Sequence, residues 1–447
     1  MDRTINHGMS PGCPAVLALF AVLATGGCDS ALFDFRVFDD LKDDTWVAST
    51  GVPEGLDARF YGVAIAGGGE VNRDGASFFV AGRNQDGFGQ LVFDANGNLD
   101  ETFYLISQVS SDPPVQALAV DVVMAADPDS ARTGFAVAAG GTPQAPQQTI
   151  IALLDSNTDE LITQGLVLPG PQLVDGLAFG TTNVAPSGGR NIVAVRDTLL
   201  SVLHSLDTTP VAVSCTHGRD DSLSVVVGEF AAASAMQEIA VGLSQAGGPG
   251  TVLVLEGQVV SAAGGANCFE DGVRSALATV SAPGGESDFG AVMTTGDFDN
   301  SGGLDLAVAA PNANAVYVYL NVDTSSALPT PIQLTTPPGA GEFGRVLAAG
   351  NLDGMAGDEL VVTAPGTTRD GEANAGAAHV YEFSAGGFGQ PQLLGDSEPE
   401  AEHRFGQAAA VVPFGSTREI LVVGADREVF TYFRTRPDDA DVRHNRQ

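Results

Sequence analysis

The feature that most constrains the fold is a unit that recurs along the chain. Its clearest copy runs Asp288-Phe289-Gly290-Ala291-Val292, then Gly296-Asp297-Phe298-Asp299-Asn300-Ser301-Gly302-Gly303-Leu304-Asp305, then Leu306-Ala307-Val308-Ala309-Ala310-Pro311 and Ala315-Val316-Tyr317-Val318-Tyr319. The next opens at Glu342-Phe343-Gly344, passes Gly350-Asn351-Leu352-Asp353-Gly354 and Asp358-Glu359-Leu360-Val361-Val362-Thr363-Ala364-Pro365, and reaches Ala378-His379-Val380-Tyr381. Another opens at Arg404-Phe405-Gly406, runs through Glu419 to Ala425 by a shortened loop, and ends near Val429 to Phe433. Four weaker copies precede them, at Tyr61 to Phe93, Val115 to Leu154, Asp175 to Leu203 and Ser222 to Leu255, which makes seven.

Short apolar runs bounded by Gly, Asp, Asn and Pro, with no long helical periodicity between them, give an all-β reading. Each unit supplies three apolar strands, and a linking stretch such as Pro331-Ile332-Gln333-Leu334 supplies a fourth. A four-stranded unit cannot bury both faces alone, so copies are expected to pack face to face around an axis. The last copy has no strand after it, and Trp46-Val47-Ala48-Ser49, ahead of the first copy, sits where that strand belongs. Borrowing it would close the ring and remove an open edge. The expected fold is a seven-bladed β-propeller of four-stranded blades over residues 44–433.

The order of Phe-Gly anchor, acidic loop, Leu-Ala-Val-Ala-Ala-Pro and Val-Tyr-Val-Tyr resembles the FG-GAP repeat of integrin α-chains and their bacterial relatives. The likeness is strong over residues 287–433 and only patterned over 60–286. It implies a propeller with loop-bound Ca²⁺. Phe93 to Phe103 resembles another bacterial propeller repeat, so the first unit could belong to a different subfamily.

The acidic loop carries its own argument for a cation. Ca²⁺ takes six to eight hard oxygens from a flexible loop. Asp297, Asp299, Ser301 and Asp305 fall at loop positions one, three, five and nine, and Gly303 offers a carbonyl at seven. An EF-hand is disfavoured, because its twelfth position needs a bidentate Glu and Val308 stands there. The following copy keeps Asn351, Asp353 and Glu359 but has Met355 at position five, so a weaker site is expected. Glu70, Asn72 and Asp74 make a shortened version in the first copy. A solvated acidic turn is the plainer alternative for each.

The net charge of −35 disfavours nucleic acid, whose affinity rests on cations displacing counterions. No HExxH, GxSxG or Walker pattern, and no GxGxxG run placed directly after a strand, marks an enzyme. His379 is read as a structural histidine within a strand, and His403, beside a Phe-Gly anchor, as lining the entrance of the ring.

The N-terminus reads as an export signal: Arg3, an apolar stretch from Ala15 to Ala24 too short to span a bilayer, then Gly26-Gly27-Cys28. This resembles a bacterial lipobox, which implies a lipoprotein signal peptide over 1–27, lipidation at Cys28 and a membrane anchored through that lipid. Residues 28–43 read as a tether and 434–447 as a disordered tail. Cys215 and Cys268 remain; a disulfide between them is one option and two buried thiols the other.

Two function classes follow. One is a lipid-anchored binding or adhesion module at the outer membrane or cell surface (the periplasm being the second choice), with a protein or polysaccharide ligand. The other is a polysaccharide- or lipid-active enzyme with a site in the central cavity.

Overall fold

The computed structural model describes residues 34–36, 45–51, 64–67, 76–81, 87–93, 99–105, 121–126, 134–140, 148–155, 160–169, 175–180, 191–204, 211–217, 222–230, 237–244, 248–256, 277–322, 329–384, 386–414, 418–426 and 428–434. Apart from the 3-10 turn Pro311–Ala313, every regular element among them is a strand. The strands form six four-stranded antiparallel sheets in chain order, each a meander, the sixth interrupted by the short hairpin Phe383–Ser384 and Gly387–Phe388 before its last strand. Their first strands are Ala64–Gly67, Asp121–Ala126, Gly176–Gly180, Ser222–Gly228, Val292–Gly296 and Leu347–Gly350. A seventh sheet contains Ala408–Phe414, Arg418–Ala425 and Glu428–Arg434, followed by Thr45–Gly51 from the other end of the chain. Thr45 pairs with Arg434 and Gly51 with Glu428. Asp34–Arg36 then pairs with Thr45–Gly51 at the outer edge, so the segment expected to be a tether contributes a strand.

Neighbouring sheets touch through their first strands, and the series returns to its start. Ala64–Gly67 meets Asp121–Ala126, each first strand meets the next, and Ala408–Phe414 meets Ala64–Gly67. Side chains alternate across a strand, so each sheet offers one row to each neighbour. In the fifth sheet Leu306, Val308 and Ala310 join a cluster with Ala240, Val252 and Val254 of the fourth. Ala307 and Ala309 join Leu360, Val362 and Ala364 of the sixth. This explains why Leu306 to Ala310 is one apolar run rather than an alternating pattern: both of its faces are inside.

The Phe-Gly anchors lie at the start of the first strand and lock neighbouring sheets. Phe289, Phe343 and Phe405 are fully buried, and the following Gly290, Gly344 and Gly406 have φ of +92°, +89° and +92°. In this region a Cβ is strained. Gly290 also approaches Gly242 of the fourth sheet so closely that a Cβ at 242 would fall 1.9 Å from the Gly290 carbonyl oxygen. That oxygen accepts a hydrogen bond from Ser224 Oγ at 2.7 Å, again across the sheet boundary.

Candidate metal centre

The acidic loop hangs between the first and second strands of the fifth sheet, where Gly296 pairs with Asp305. Phe298 pins it by burying its ring in the core and meeting Phe388 edge-on at 6.0 Å. Asn300 and Gly302 turn the chain through left-handed conformations, with φ of 54° and 79°. The turn folds the backbone onto its own carboxylates. Asp297 accepts hydrogen bonds from Ser301 N at 2.9 Å and Gly302 N at 3.0 Å, and Asp299 accepts from Ser301 N at 3.0 Å. Asp305 accepts from Phe298 N at 2.7 Å.

One carboxylate oxygen each from Asp297, Asp299 and Asp305 then lies within 4.8 Å of the others. Three carboxylates this close repel one another, and convergence strips them of water. Burial pushes Asp305 up to about 6, with the Asp299 charge adding to it, although the amides of Asn321 and Phe298 pull the other way. The donor set is all oxygen, which suits a hard cation such as Ca²⁺.

Two details add to the spacing argument. The Ser301 hydroxyl donates to Asn321 Oδ1 rather than turning to the carboxylates. Asn321, beyond the third strand, was invisible to a reading of the loop alone. It donates from Nδ2 to Asp299 at 2.9 Å and from its backbone N to Asp305 at 2.6 Å. Its side-chain oxygen is therefore a further donor at the loop. Gly303 lies in the same turn, its N–H on Ser301 Oγ at 3.3 Å.

The sixth sheet repeats the design with weaker chemistry. Glu359 accepts from Leu352 N at 2.7 Å and Asp353 N at 3.1 Å, as Asp305 does from Phe298. Asp353, Glu359 and Glu382 bring one oxygen each within 4.8 Å of the others, so Glu382 joins the two acids the sequence had pointed to. Asn351 donates from Nδ2 to the Met355 carbonyl while its Oδ1 is buried with no hydrogen-bond partner among the described residues, and Met355 is 56% exposed with no side-chain oxygen to offer. In the fourth sheet the closing acid persists: buried Glu238 accepts from Phe230 N at 2.6 Å, with Gly228 opposite it in register. Gly-acid-Phe followed by an acid at the head of an apolar strand is the signal that would have shown it. Among the described residues the closing acid is thus a turn cap in three sheets, and converging acids accompany it in two.

The loops are also tied to one another. Asp297 N donates to Asp358 Oδ2 at 2.8 Å, and Asp358 N donates to the Asp297 carbonyl at 3.0 Å, joining the fifth and sixth sheets. Asn351 N donates to Glu419 Oε2, joining the sixth and seventh. Burial raises both acids above the ordinary carboxylate range despite these bonds. This edge of the molecule is a row of desolvated carboxylates, a field that favours cations.

Of the remaining expectations, Cys215 is buried and disulfide-bonded, while Cys268 lies outside the described residues. Cys28, the segment 1–27, the tail beyond Arg434 and the loop holding Glu70, Asn72 and Asp74 also lie outside them. A scan against protein-family models finds no match for this chain, and a search of the curated proteins finds none either. The chemistry of the loop rests on its own residues.

Proposed function

We propose that this chain is an exported, lipid-anchored, Ca²⁺-binding β-propeller of the FG-GAP kind, serving as a binding or adhesion module at the cell surface. The observation that carries the reading is the convergence of Asp297, Asp299 and Asp305 in a loop whose donors are all oxygen. The cycle of contacts among seven first strands, with Thr45–Gly51 in the last sheet, supports seven blades closed by the N-terminal segment. Asp297, Asp299 and Asp305 would hold the ion, with Asn321 as a further oxygen donor. The bound cation offsets their mutual repulsion and so holds the loop in register with its sheet. A rigid rim of such loops is a surface on which a protein or polysaccharide can dock.

The test is linkage. An ion that binds only the folded state at 100 times its dissociation constant adds about 2.7 kcal/mol. The unfolding midpoint of chelator-stripped protein is expected to rise with added Ca²⁺ and fall again with chelator. Asp299→Ala should remove most of that response, and Asp353→Ala less, because Met355 already weakens the second loop. A midpoint unmoved by millimolar Ca²⁺ would leave the loop an ordinary acidic turn.

The anchor is tested separately. Cys28→Ser is expected to move the expressed protein from the membrane fraction to the soluble fraction. Unchanged partitioning would remove the lipid from this proposal.

A further inference from the structure

The opposite end of the sheets, where the Phe-Gly anchors begin, holds a different cluster. His403 was expected to line an opening, but it is 9% exposed and sits where the sixth sheet passes into the seventh. Asp396 follows the last strand of the sixth sheet, Gln392–Leu394, and is more deeply buried still. Glu428 begins the third strand of the seventh. His403 Nδ1 stands 3.3 Å from Asp396 Oδ2, and Nε2 stands 3.7 Å from Glu428 Oε2. Neither is a good hydrogen bond: the buried Nδ1 has no aligned partner among the described residues, and the second separation is too long. One atom from each of the three residues lies within 4.8 Å of the others.

We propose that Asp396, His403 and Glu428 form a second kind of cation site, one that takes a borderline transition metal such as Zn²⁺ rather than Ca²⁺. Two ligands about 2.0–2.1 Å from a tetrahedral ion stand roughly 3.4 Å apart, close to both separations here. An imidazole nitrogen beside two carboxylates is a donor set for Zn²⁺ or Co²⁺, whereas Ca²⁺ prefers oxygen alone. The surroundings draw positive charge. The Asp396 and Glu428 carboxylates stand on either side of the imidazole, 3.3 Å and 3.7 Å from its two nitrogens. Position gives the site a role. The Asp396 backbone carbonyl is held by Arg369 Nη1 at 2.9 Å, and the His403 carbonyl accepts from Asp426 N at 2.7 Å. Each end of the cluster is thus fixed to its own sheet. A metal there fastens the sixth sheet to the seventh, the sheet that Thr45–Gly51 completes.

Co²⁺ is the probe, because its visible d–d absorption intensifies when imidazole and carboxylate replace octahedral water. The full mature chain, with its loops saturated by Ca²⁺, is expected to develop that band on Co²⁺ titration and to lose it when Zn²⁺ is added. Asp299→Ala should develop the same band, since the acidic loop lies at the other end of the sheets. His403→Gln should abolish it. Glu428→Gln leaves the Asp396–His403 pair in place and should weaken Co²⁺ binding at least about ten-fold. It keeps the test decisive if the histidine variant fails to fold. No band in the folded parent protein, or an undiminished band in Glu428→Gln, overturns the proposal; the three residues would then be a protonated imidazole held between carboxylates.

Discussion

Replacing Gly242 with alanine is expected to cost about 4 kcal/mol or more, among the largest effects a single methyl can have. The new Cβ would fall 1.9 Å from the Gly290 carbonyl oxygen and 2.7 Å from its carbon, and backbone cannot swing aside as a long side chain can. Relief requires the fourth and fifth sheets to part. That movement breaks the hydrogen bond from Ser224 Oγ to Gly290 O and opens the cluster that Ala240, Val252 and Phe289 share. Gly285→Ala is the control. Gly285 has φ of +84° but nothing within 4 Å of its added Cβ, so it carries backbone strain alone, about 1–3 kcal/mol. Urea unfolding of the two variants at fixed Ca²⁺ separates packing from strain. If Gly242→Ala proves no more costly than Gly285→Ala, the close seam between these sheets is not a feature of the protein in solution.

The second large effect is acid sensitivity centred on His379. This histidine is buried in the strand Ala377–Tyr381, its ring 6.0 Å from that of Phe343, and its Nε2 has no hydrogen-bond partner among the described residues. Burial, with the charge of Arg369 adding to it, pushes its pKa down from 6.5 to about 4. The folded state keeps the ring neutral while the unfolded chain takes up a proton, so stability is full above about pH 6.5 and is lost as pH falls toward 4. A drop of that size is worth about 3 kcal/mol. Asp305 works with the opposite sign, since an acid raised to about 6 favours the folded state as pH falls. The quantity to measure is therefore the difference between the parent protein and His379→Leu, both at saturating Ca²⁺. Relative to the variant, the parent should lose about 3 kcal/mol between pH 7 and pH 4. Parallel pH profiles would mean that this histidine is solvated or paired when folded.

Much of the architecture was legible in the chain because it is local. Strands announce themselves as apolar runs between turn residues, and recurrence of Phe289, Phe343 and Phe405 marks the repeated unit. The want of a strand after Glu428–Arg434 pointed to the segment around Trp46, which pairs there. The spacing of Asp297, Asp299 and Asp305 within one turn brings their oxygens together, since a tight loop leaves short-range carboxylates little choice.

What escaped was everything made between units. Asp358 and Glu419 look like ordinary acids at the head of their strands, yet each accepts an amide from the preceding sheet. Asn321 reaches the acidic loop only because the third strand ends beside it. Glu382 joins Asp353 and Glu359 at the second loop for the same reason. Asp34–Arg36 reads as tether until the edge of the last sheet is there to pair with it. His403 was read as lining the entrance of the ring because it stands beside a Phe-Gly anchor, and it is buried where the sixth sheet passes into the seventh. Spacing within a unit sets which residues share a turn or a strand face. The angle and closeness at which one sheet packs on the next are set by side chains far apart in the chain, and those contacts decided the staples, the glycine seam and the histidine cluster.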